Sequence, residues 1–395
     1  MEINKIIKRY LSKIGIRSLF LFFPGGYLYA QEKEVKPEKL DFDEYEPKST
    51  LVVPEHPIKR AKFPFIDVHS HQNNIPEQNL KKLSLEMDSL NMGVMVNLSG
   101  KGFRRLVNKE GKTYFGVNGD DFLVKSIDAI REKAPKRLVI FTNLDFSEID
   151  SPDWTKNAVA QLEKDVKIGA VGLKLFKNLG LDLRDELGNR IPTNDTRLDP
   201  IWAKCGQLGI PVLIHTGEPV AFFEPQDKNN ERLLELSQFP GRARPADKYP
   251  SFDVVMGEQH SMFKKHPKTK FINAHMGWMA NDLATFGKLM DEIPNMYAEI
   301  GAIIHELGRQ PKTARAFFIK YQDRILFGKD IYNPVEYHTY FRLLETEDEY
   351  FPYYRKRHAF WRIYGLGLPD EVLKKVYYKN ALKIVPGIDK SLFPK

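Results

Sequence analysis

The sequence contains very little cysteine and no long apolar segment. Cys205 is the only cysteine among the 395 residues, so no intrachain disulfide can form in any redox compartment. It lies in the helical-looking run IWAKCGQLG, where we expect a buried structural thiol rather than a nucleophile. No apolar stretch approaches the roughly 20 residues that a membrane-spanning helix needs. The sequence therefore predicts a chain without disulfides and without stable membrane insertion.

Nucleic-acid motifs, internal repeats and low-complexity tracts do not stand out either. Hydrophobic residues make up 42% of the chain and charged residues 28%, as in soluble proteins with a large core, which excludes wholesale disorder. The formal net charge is +8, but Lys and Arg are spread along the chain among 52 acidic residues. Because the basic residues are not clustered, we expect no nucleic acid. The mild positive net charge is compatible with a small, anionic substrate.

The first thirty residues differ from the rest. Basic residues precede the apolar run SLFLFF (18 to 23), and a cleavage position follows before Gln31, an order typical of a secretory signal peptide. The protein is thus predicted to be exported, either periplasmic or secreted. Pro24 interrupts the apolar region and Leu28 stands where a small residue is usual, so an uncleaved N-terminal membrane anchor is the alternative. Residues 31 to 62, rich in charge and proline, are predicted to be a linker or N-terminal arm.

From residue 63 to 388 short apolar runs alternate with helical stretches, the pattern of βα units around a parallel sheet. Eight strands are predicted, which is the number that closes a barrel. They are 64 to 69, 92 to 98, 136 to 144, 170 to 176, 210 to 215, 269 to 275, 295 to 300 and 323 to 328. The fold class is therefore α/β, a distorted (β/α)8 TIM barrel. The long loops 99 to 118, 177 to 197 and 216 to 252 follow strands and would project over the catalytic face.

Polar residues recur where these strands end. His69 and His71 form an H-x-H pair on one side of the first strand, because side chains repeat every two residues. His215 and His275 end the fifth and sixth strands and Asp330 follows the eighth, at the face where barrel active sites are built. Imidazole and carboxylate are ligands that zinc accepts, and Mn2+ or Fe2+ would accept them as well. The arrangement predicts a divalent metal site, most simply one Zn2+.

The segments FIDVHSH, VLIHTGEP, FINAHMGW, ILFGKDIY and YYKNALKIV resemble those of the amidohydrolase-related branch of the amidohydrolase superfamily. That branch contains metal-dependent decarboxylases and lactone hydrolases, and the resemblance covers roughly residues 63 to 386. It implies a distorted (β/α)8 barrel in which His69, His71, His215 and Asp330 bind the metal. His275 matches the strand-six histidine that acts on water or substrate.

Two lysines complicate the resemblance. Lys329 stands where the family commonly has Ser before the strand-eight Asp, which puts the substrate in doubt. Lys174, on the fourth strand, matches a lysine that in some branches is carbamylated and bridges two metals. Otherwise Lys174 would bind a substrate carboxylate or pair with a nearby acid. The overall resemblance is to the mononuclear branch, so one metal is favoured over two.

The catalytic candidates are His275 and Asp330. Asp330 would take a proton from a metal-activated water and return it to the leaving group, while His275 would polarise a carbonyl or act as a base. Lys174, Glu299 and Arg244 are the candidates for binding substrate. For Asp67 we expect a role in bracing the first strand or in contacting a ligand histidine.

The leading functional hypothesis is a hydrolase acting on a lactone, amide or related bond of a small carboxylated compound. The alternative is a non-oxidative decarboxylase, a lyase with the same site. A non-catalytic exported binding protein is the third hypothesis, but it would have no need of Asp330 or His275. The aromatic run FPYYRKRHAFWRIYG is a candidate barrel cap or homodimer interface.

Overall fold

The computed structural model describes residues 44–102, 104–107 and 113–395. The predicted signal peptide and the first part of the predicted arm lie outside these residues. Residues 53–395 belong to one compact unit, and residues 44–52, assigned to a separate unit, carry a turn but no helix or strand. Within the described chain, the helices are all too short or too polar to cross a membrane.

Eight parallel strands form the central sheet, and each corresponds to a predicted strand. They pair in chain order, β1 with β2 and so on to β8, which confirms the predicted (β/α)8 barrel. The strands are β1 Phe65–Ser70, β2 Met92–Asn97, β3 Leu138–Asn143, β4 Gly172–Leu175, β5 Val212–Ile214, β6 Phe271–Asn273, β7 Met296–Glu299 and β8 Ile325–Leu326. Their side chains are almost all buried, because the barrel interior covers one face and helices cover the other.

The seam between β8 and β1 nearly closes the barrel. The Val68 amide donates to the Phe327 carbonyl at 3.0 Å, and the Asp330 amide donates to the His69 carbonyl at 2.7 Å. These bonds replace the regular ladder found between the other neighbours. The carboxyl ends of β1 and β8 are therefore adjacent, which brings the polar residues that follow them together.

Helices surround the sheet. In chain order they are α1 Leu80–Leu90, α2 Asp120–Lys133, α3 Trp154–Ile168, α4 Asn178–Leu181, α5 Asp199–Leu208, α6 Leu233–Gln238, α7 Phe252–Lys265, α8 Leu283–Glu292, α9 Ile304–Arg309, α10 Pro311–Lys320, α11 Pro334–Glu345, α12 Asp370–Lys374 and α13 Asn380–Ile384. A π-helical turn, Lys375–Lys379, joins the last two into one closing helix.

Two helices differ from the sequence prediction. The helix after β6, predicted over residues 278 to 292, begins only at Leu283, because residues 274 to 278 form a tight turn instead of helix. Helix α11 occupies part of a region read only as aromatic and charged, although Asn333 caps it and Pro334 begins it, a recognised start signal. The loop after β2 forms an antiparallel hairpin, Arg104–Val107 with Thr113–Gly116, while the loop after β4 has a single bridge between Arg184 and Arg190.

The core fills the barrel and the layer beneath the helices. Cys205 is fully buried there, and burial raises the pKa of its thiol, as expected of a structural cysteine.

The last residues of the predicted arm pack against the rest of the barrel unit. The His56 amide donates to an Asp348 carboxylate oxygen at 2.6 Å, and the Lys62 amide donates to Glu345 at 3.0 Å. Residues 56 to 62 thus lie against the region of α11.

Candidate metal centre

Three predicted ligands meet at the carboxyl end of β1 and β8. The Nε2 atoms of His69 and His71 are 3.3 Å apart, and Asp330 Oδ1 lies 3.5 Å from the first and 3.7 Å from the second. Ligand atoms held about 2.1 Å from one ion at tetrahedral angles lie roughly 3.4 Å apart. The spacing of these three atoms therefore fits a single divalent ion.

Asp330 reaches this position through an unusual backbone conformation. Its φ is 87°, in the left-handed region, which Asp tolerates better than most residues. Its amide donates to the carbonyl of His69, and this bond holds the start of the loop after β8 against β1. Backbone strain of this kind clusters at functional sites, so it supports a site here rather than an ordinary turn.

The two histidines of β1 are held in the form that binds metals. His69 Nδ1 lies 2.9 Å from Glu299 Oε1, and since a carboxylate only accepts, Nδ1 carries the proton and Nε2 keeps its lone pair. His71 Nδ1 contacts the Ser99 hydroxyl at 2.9 Å. Burial, reinforced by the charge of Lys174, lowers the pKa of His69 well below its usual value and that of His71 to about 4. Both imidazoles are thus neutral at physiological pH.

Glu299 was predicted to bind substrate, but its oxygens are already occupied. Besides His69, Oε1 accepts from the His275 amide at 2.6 Å, and Oε2 accepts from the Gly301 amide at 2.5 Å. The carboxylate is fully buried, and a Cβ at Gly328 would lie only 2.3 Å from Oε2. His69, His275 and Glu299 also form a compact trio of potential ligands, yet these contacts favour a positioning role for Glu299.

His275 opens a strained turn after β6. Residues 275 to 278 all have positive φ, between 51° and 60°, although only one of them is glycine. His275 Nδ1 lies 2.7 Å from the carbonyl of Gly301, so it donates there and Nε2 carries the lone pair. In the described structure, His275 Nε2 is buried and has no hydrogen-bond partner. With Nδ1 used as a donor, Nε2 is the ring nitrogen left to act as a base or a metal ligand.

His215 lies next to His275. The two rings are in edge contact, with centroids 4.5 Å apart, and the His69 and His275 centroids are 4.9 Å apart. Burial lowers the pKa of His215 well below its usual value. Its Nε2 is buried and finds no hydrogen-bond partner among the described residues. His215 is therefore in ring contact with His275 but is not part of the cluster of His69, His71 and Asp330.

Lys174 is buried next to the same centre. Its Nζ has no hydrogen-bond partner in the part of the chain that the structure describes. Burial lowers its pKa to about 7, an effect that Asp330 and Glu299 oppose. An unpaired buried amine costs free energy, so a ligand for it is expected.

Arg244 is engaged within the loop after β5. Its Nη2 donates to Glu218 at 3.2 Å, and its Nη1 donates to the carbonyls of Gly241 and Ala243 at 3.1 and 3.0 Å. Lys177 also donates to Glu218. The guanidinium was predicted to bind substrate, and these contacts instead favour a role in holding the loop together.

Asp67 and Lys329 connect the first and last strands below the centre. Asp67 accepts hydrogen bonds from the amides of His69 and Lys329, at 2.9 and 3.1 Å, and from the Tyr337 hydroxyl at 2.5 Å. Burial raises the pKa of Asp67 to about 7, although these hydrogen bonds oppose the rise. Lys329 directs its amine away, to Glu336 at 2.6 Å. The bracing role considered for Asp67 agrees with these contacts.

The chain belongs to the amidohydrolase family, whose model matches residues 130–387. The matched part contains His215, His275 and Asp330, whereas His69 and His71 precede it. This match confirms the resemblance inferred from the sequence. No curated protein matches the chain.

Solved structures share the barrel. A dihydroxybenzoic acid decarboxylase from Polaromonas sp. JS666, with bound manganese and the inhibitor 2-nitroresorcinol, has a TM-score of 0.50 and 14% identity over 82% of this chain and 96% of that chain. A 2,6-dihydroxybenzoate decarboxylase from Rhizobium has a TM-score of 0.48 and 16% identity over 82% and 98%. A 4-oxalomesaconate hydratase from Rhodopseudomonas palustris has values of 0.43 and 14% over 83% and 97%. At these identities the Polaromonas structure shows that the fold is shared and nothing more.

Proposed function

We propose that this amidohydrolase-family chain is a divalent-metal-dependent hydrolase that opens a lactone, amide or related bond of a small carboxylated compound. The observation that carries the proposal is the trio of His69, His71 and Asp330. Its ligand atoms lie 3.3 to 3.7 Å apart, and both imidazoles are neutral with Nε2 turned toward the carboxylate. We assign the fourth ligand position to His215, whose Nε2 is buried without a hydrogen-bond partner among the described residues and whose ring contacts that of His275.

When bound, a divalent ion would lower the pKa of a coordinated water toward about 7 and polarise a substrate oxygen. Asp330 has an oxygen free to accept a proton, because positive charge on any of its neighbours His69, His275, His71 and Lys174 outweighs its burial and holds its pKa well below the usual range. It is therefore ionised at neutral pH and can pass the proton to the leaving group. His275 offers a second acceptor, at the lone pair of Nε2.

Lys174 is the residue we assign to the carboxylate of the substrate. It is buried near Asp330, and its amine has no other hydrogen-bond partner within the described chain. A substrate carboxylate would satisfy this donor with a charge-assisted hydrogen bond. If the lysine were instead carbamylated, it would bridge a second metal ion, and the metal count distinguishes the two states.

Decarboxylation is the second candidate, favoured by the same lysine. A carboxylate held by Lys174 beside the trio is placed either as a recognition group or as the group that leaves. In the second case the bond to the carboxyl carbon breaks, CO2 departs, and the carbon takes a proton. The Polaromonas neighbour is a decarboxylase with manganese, and its fold is shared with this chain.

We also propose zinc as the native metal, with manganese or Fe(II) as alternatives, because all three accept imidazole and carboxylate ligands. Export through residues 1 to 30 and a homodimer remain proposals from the sequence. N-terminal sequencing of protein from the periplasm or medium tests the first. Light scattering of the purified mature chain tests the second.

The experiment that tests the proposed function is elemental analysis of the purified protein. Wild type is expected to hold about one equivalent of divalent metal per chain, which the double substitution His69→Ala/His71→Ala removes. His338→Ala, on α11, is the matched control and should keep the metal. About two equivalents would make Lys174 a bridging ligand, and none after reconstitution would refute the metalloenzyme.

Product assays then separate the two reactions. The metal-loaded protein is incubated with small lactones and amides that carry a carboxylate, and separately with hydroxybenzoic acids. Hydrolysis yields the ring-opened acid or the free amine without gas, whereas decarboxylation releases CO2. Formation of CO2 alone would replace hydrolysis by decarboxylation as the assigned activity.

A further inference from the structure

A small cleft adjoins the metal centre on the side of His215 and His275. Its volume is about 50 Å3, and its walls come from the loop after β5, the strained turn after β6 and the start of α9. Its lining includes Ala221, Arg232, Trp278, Asn281 and His305. The Trp278 ring centroid lies 4.4 Å from that of His275 and 5.6 Å from that of His215. The indole ring of Trp278 thus lies between the cleft and these two histidines.

Two nitrogen atoms of the cleft lack partners. Trp278 Nε1 and His305 Nδ1 are both buried, and neither makes a hydrogen bond within the residues that the structure describes. The indole nitrogen only donates, whereas the imidazole nitrogen donates or accepts according to its tautomer. Buried polar atoms are nearly always satisfied, so two of them in one cleft indicate a ligand that supplies an acceptor.

The charges around the cleft are already paired. Arg232 donates to Glu235, with its Nε at 2.9 Å, and Arg309 donates to Glu306 at 2.6 Å and to Glu231. His305 Nε2 faces Glu306 at 3.2 Å. A carboxylate ligand would find no unpaired cation among the described residues that line the cleft. An uncharged group therefore fits the cleft better.

The backbone at Trp278 supports a functional reading of the cleft. Its φ is 56°, and the preceding residues from His275 onward are also in the left-handed region. Such a conformation is costly for a bulky side chain and persists where it places groups for function. The same turn fixes both His275 and Trp278, so it sets the position of the cleft relative to the metal centre.

We propose that this cleft is a substrate subsite for an uncharged group that both accepts and donates, a hydroxyl or a primary amide. The oxygen of the group accepts from Trp278 Nε1, and its hydrogen is donated to His305 Nδ1, which keeps the lone pair because Nε2 faces the Glu306 carboxylate. The substrate then extends from the metal centre across the ring of Trp278 into the cleft. This inference deepens the proposed function, on which it rests for the identification of the occupant as substrate.

Indole nitrogen NMR tests the subsite without a known substrate. The chain has four tryptophans, so full-length protein labelled with 15N in the indole gives at most four Nε1–H signals. Trp278→Phe assigns the signal of interest. Acetamide and acetate are the probes, since they match in size and differ in charge.

Acetamide is expected to shift the Trp278 signal saturably, and acetate is expected to shift it less at equal concentration. The Trp154 signal is the internal control, because its Nε1 already donates to the Asp145 carbonyl at 3.0 Å. Trp202 is a second control, with a buried unpartnered Nε1 outside the cleft. His305→Phe should weaken acetamide binding roughly fivefold, the equivalent of one net hydrogen bond.

Three results would overturn the inference. The Trp278 signal could stay unmoved by acetamide, acetate could shift it more strongly, or all tryptophan signals could move together. None of these readings depends on metal content or on turnover. A chain without metal and without activity would therefore refute the proposed function and still leave the subsite measurable.

Discussion

Glu299 Oε1 lies 2.9 Å from His69 Nδ1, and both side chains are fully buried. This single contact fixes the tautomer of a proposed metal ligand from a residue two strands away, across β8 and the seam of the barrel. It places the lone pair of His69 on Nε2, toward His71 and Asp330. The affinity of the site for metal should therefore depend on a side chain that is not itself assigned as a ligand.

The substitution Glu299→Gln is expected to weaken metal binding by about 10- to 100-fold, the usual effect of removing a carboxylate behind a ligand histidine. The amide keeps the size of the side chain but loses one of the two accepting oxygens. Equilibrium dialysis against zinc, followed by elemental analysis, measures the change. Glu258→Gln is the control, because Glu258 pairs with Arg190 away from the centre. Equal affinity in wild type and Glu299→Gln would contradict the positioning role.

Gly328→Ala should damage the same contact from the backbone. A Cβ at this position would lie 2.3 Å from Glu299 Oε2 and 3.0 Å from the Cβ of His69, so one of them must move. We expect a loss of about 1 to 3 kcal/mol in the free energy of unfolding together with weaker metal binding. Urea denaturation and metal analysis measure the two effects.

Gly257→Ala is the matched control for that substitution. Gly257 lies within α7, and a Cβ there would meet nothing within 4 Å. Since alanine favours helix, this variant is expected to gain roughly 0.5 to 1 kcal/mol. If both glycine variants lost stability equally, the close packing around Glu299 would not be the cause.

Stability should decline in mild acid because histidines are buried in the neutral form. Burial, with a smaller effect of Lys264, lowers the pKa of His260 from 6.5 to about 4. Between these values the unfolded chain binds more protons than the folded chain, so the free energy of unfolding falls as the pH drops from 6.5 to 4. For this residue the loss is about 3 kcal/mol at roughly 1.4 kcal/mol per pKa unit.

His260→Gln removes this titration. Urea denaturation at pH 7.5 and at pH 4.5 should show a smaller difference for the variant than for wild type. Comparing two pH values on one variant cancels the cost of the substitution itself. His305 and His358, with pKa values lowered to about 4 and about 3 mainly by burial, keep part of the acid sensitivity. An unchanged difference would mean that His260 is not buried in the neutral form.

Lys174→Met tests the assigned carboxylate contact. The substitution keeps the length of the side chain and removes its charge. For a carboxylated substrate identified by the product assays, we expect KM to rise roughly 10- to 100-fold, as for loss of a hydrogen bond to a charged group. Metal content should stay near one equivalent. Lys164→Met, on the outside of the barrel, should change neither quantity, and a fall from two equivalents to one in Lys174→Met would indicate a bridging lysine.

The sequence allowed the barrel and most of the centre to be predicted, because both follow from strand ends. Apolar runs located all eight strands. His69 lies near the end of β1, His71 directly follows that strand, and Asp330 lies four residues after β8. Parallel strands bring their carboxyl ends to one face, so no detailed geometry was needed.

The orientation of the remaining groups could not be predicted in this way. The contacts of Glu299 depend on the bare backbone at Gly328 and on the left-handed φ of His275, neither of which periodicity reveals. Trp278 is visible in the segment FINAHMGW, but nothing in its spacing indicates that the chain turns there. Ser99 likewise reaches His71 from the end of the next strand. Helix α11 was not predicted, because aromatic residues, which favour strands, form much of its buried face at Tyr337, Tyr340 and Phe341.

A metal ion bound at the seam between β8 and β1 would affect how firmly the barrel is closed. His69 lies near the end of the first strand, His71 follows it, and Asp330 follows the last strand, so a bound ion would fasten together the two edges of the sheet. Without the ion, the fastening consists of backbone bonds such as those of Val68 and Asp330. These two amides should therefore exchange their hydrogens faster than those of inner strands in the metal-free protein. Loading the ion should slow them selectively, making amide exchange at the seam a direct gauge of barrel closure.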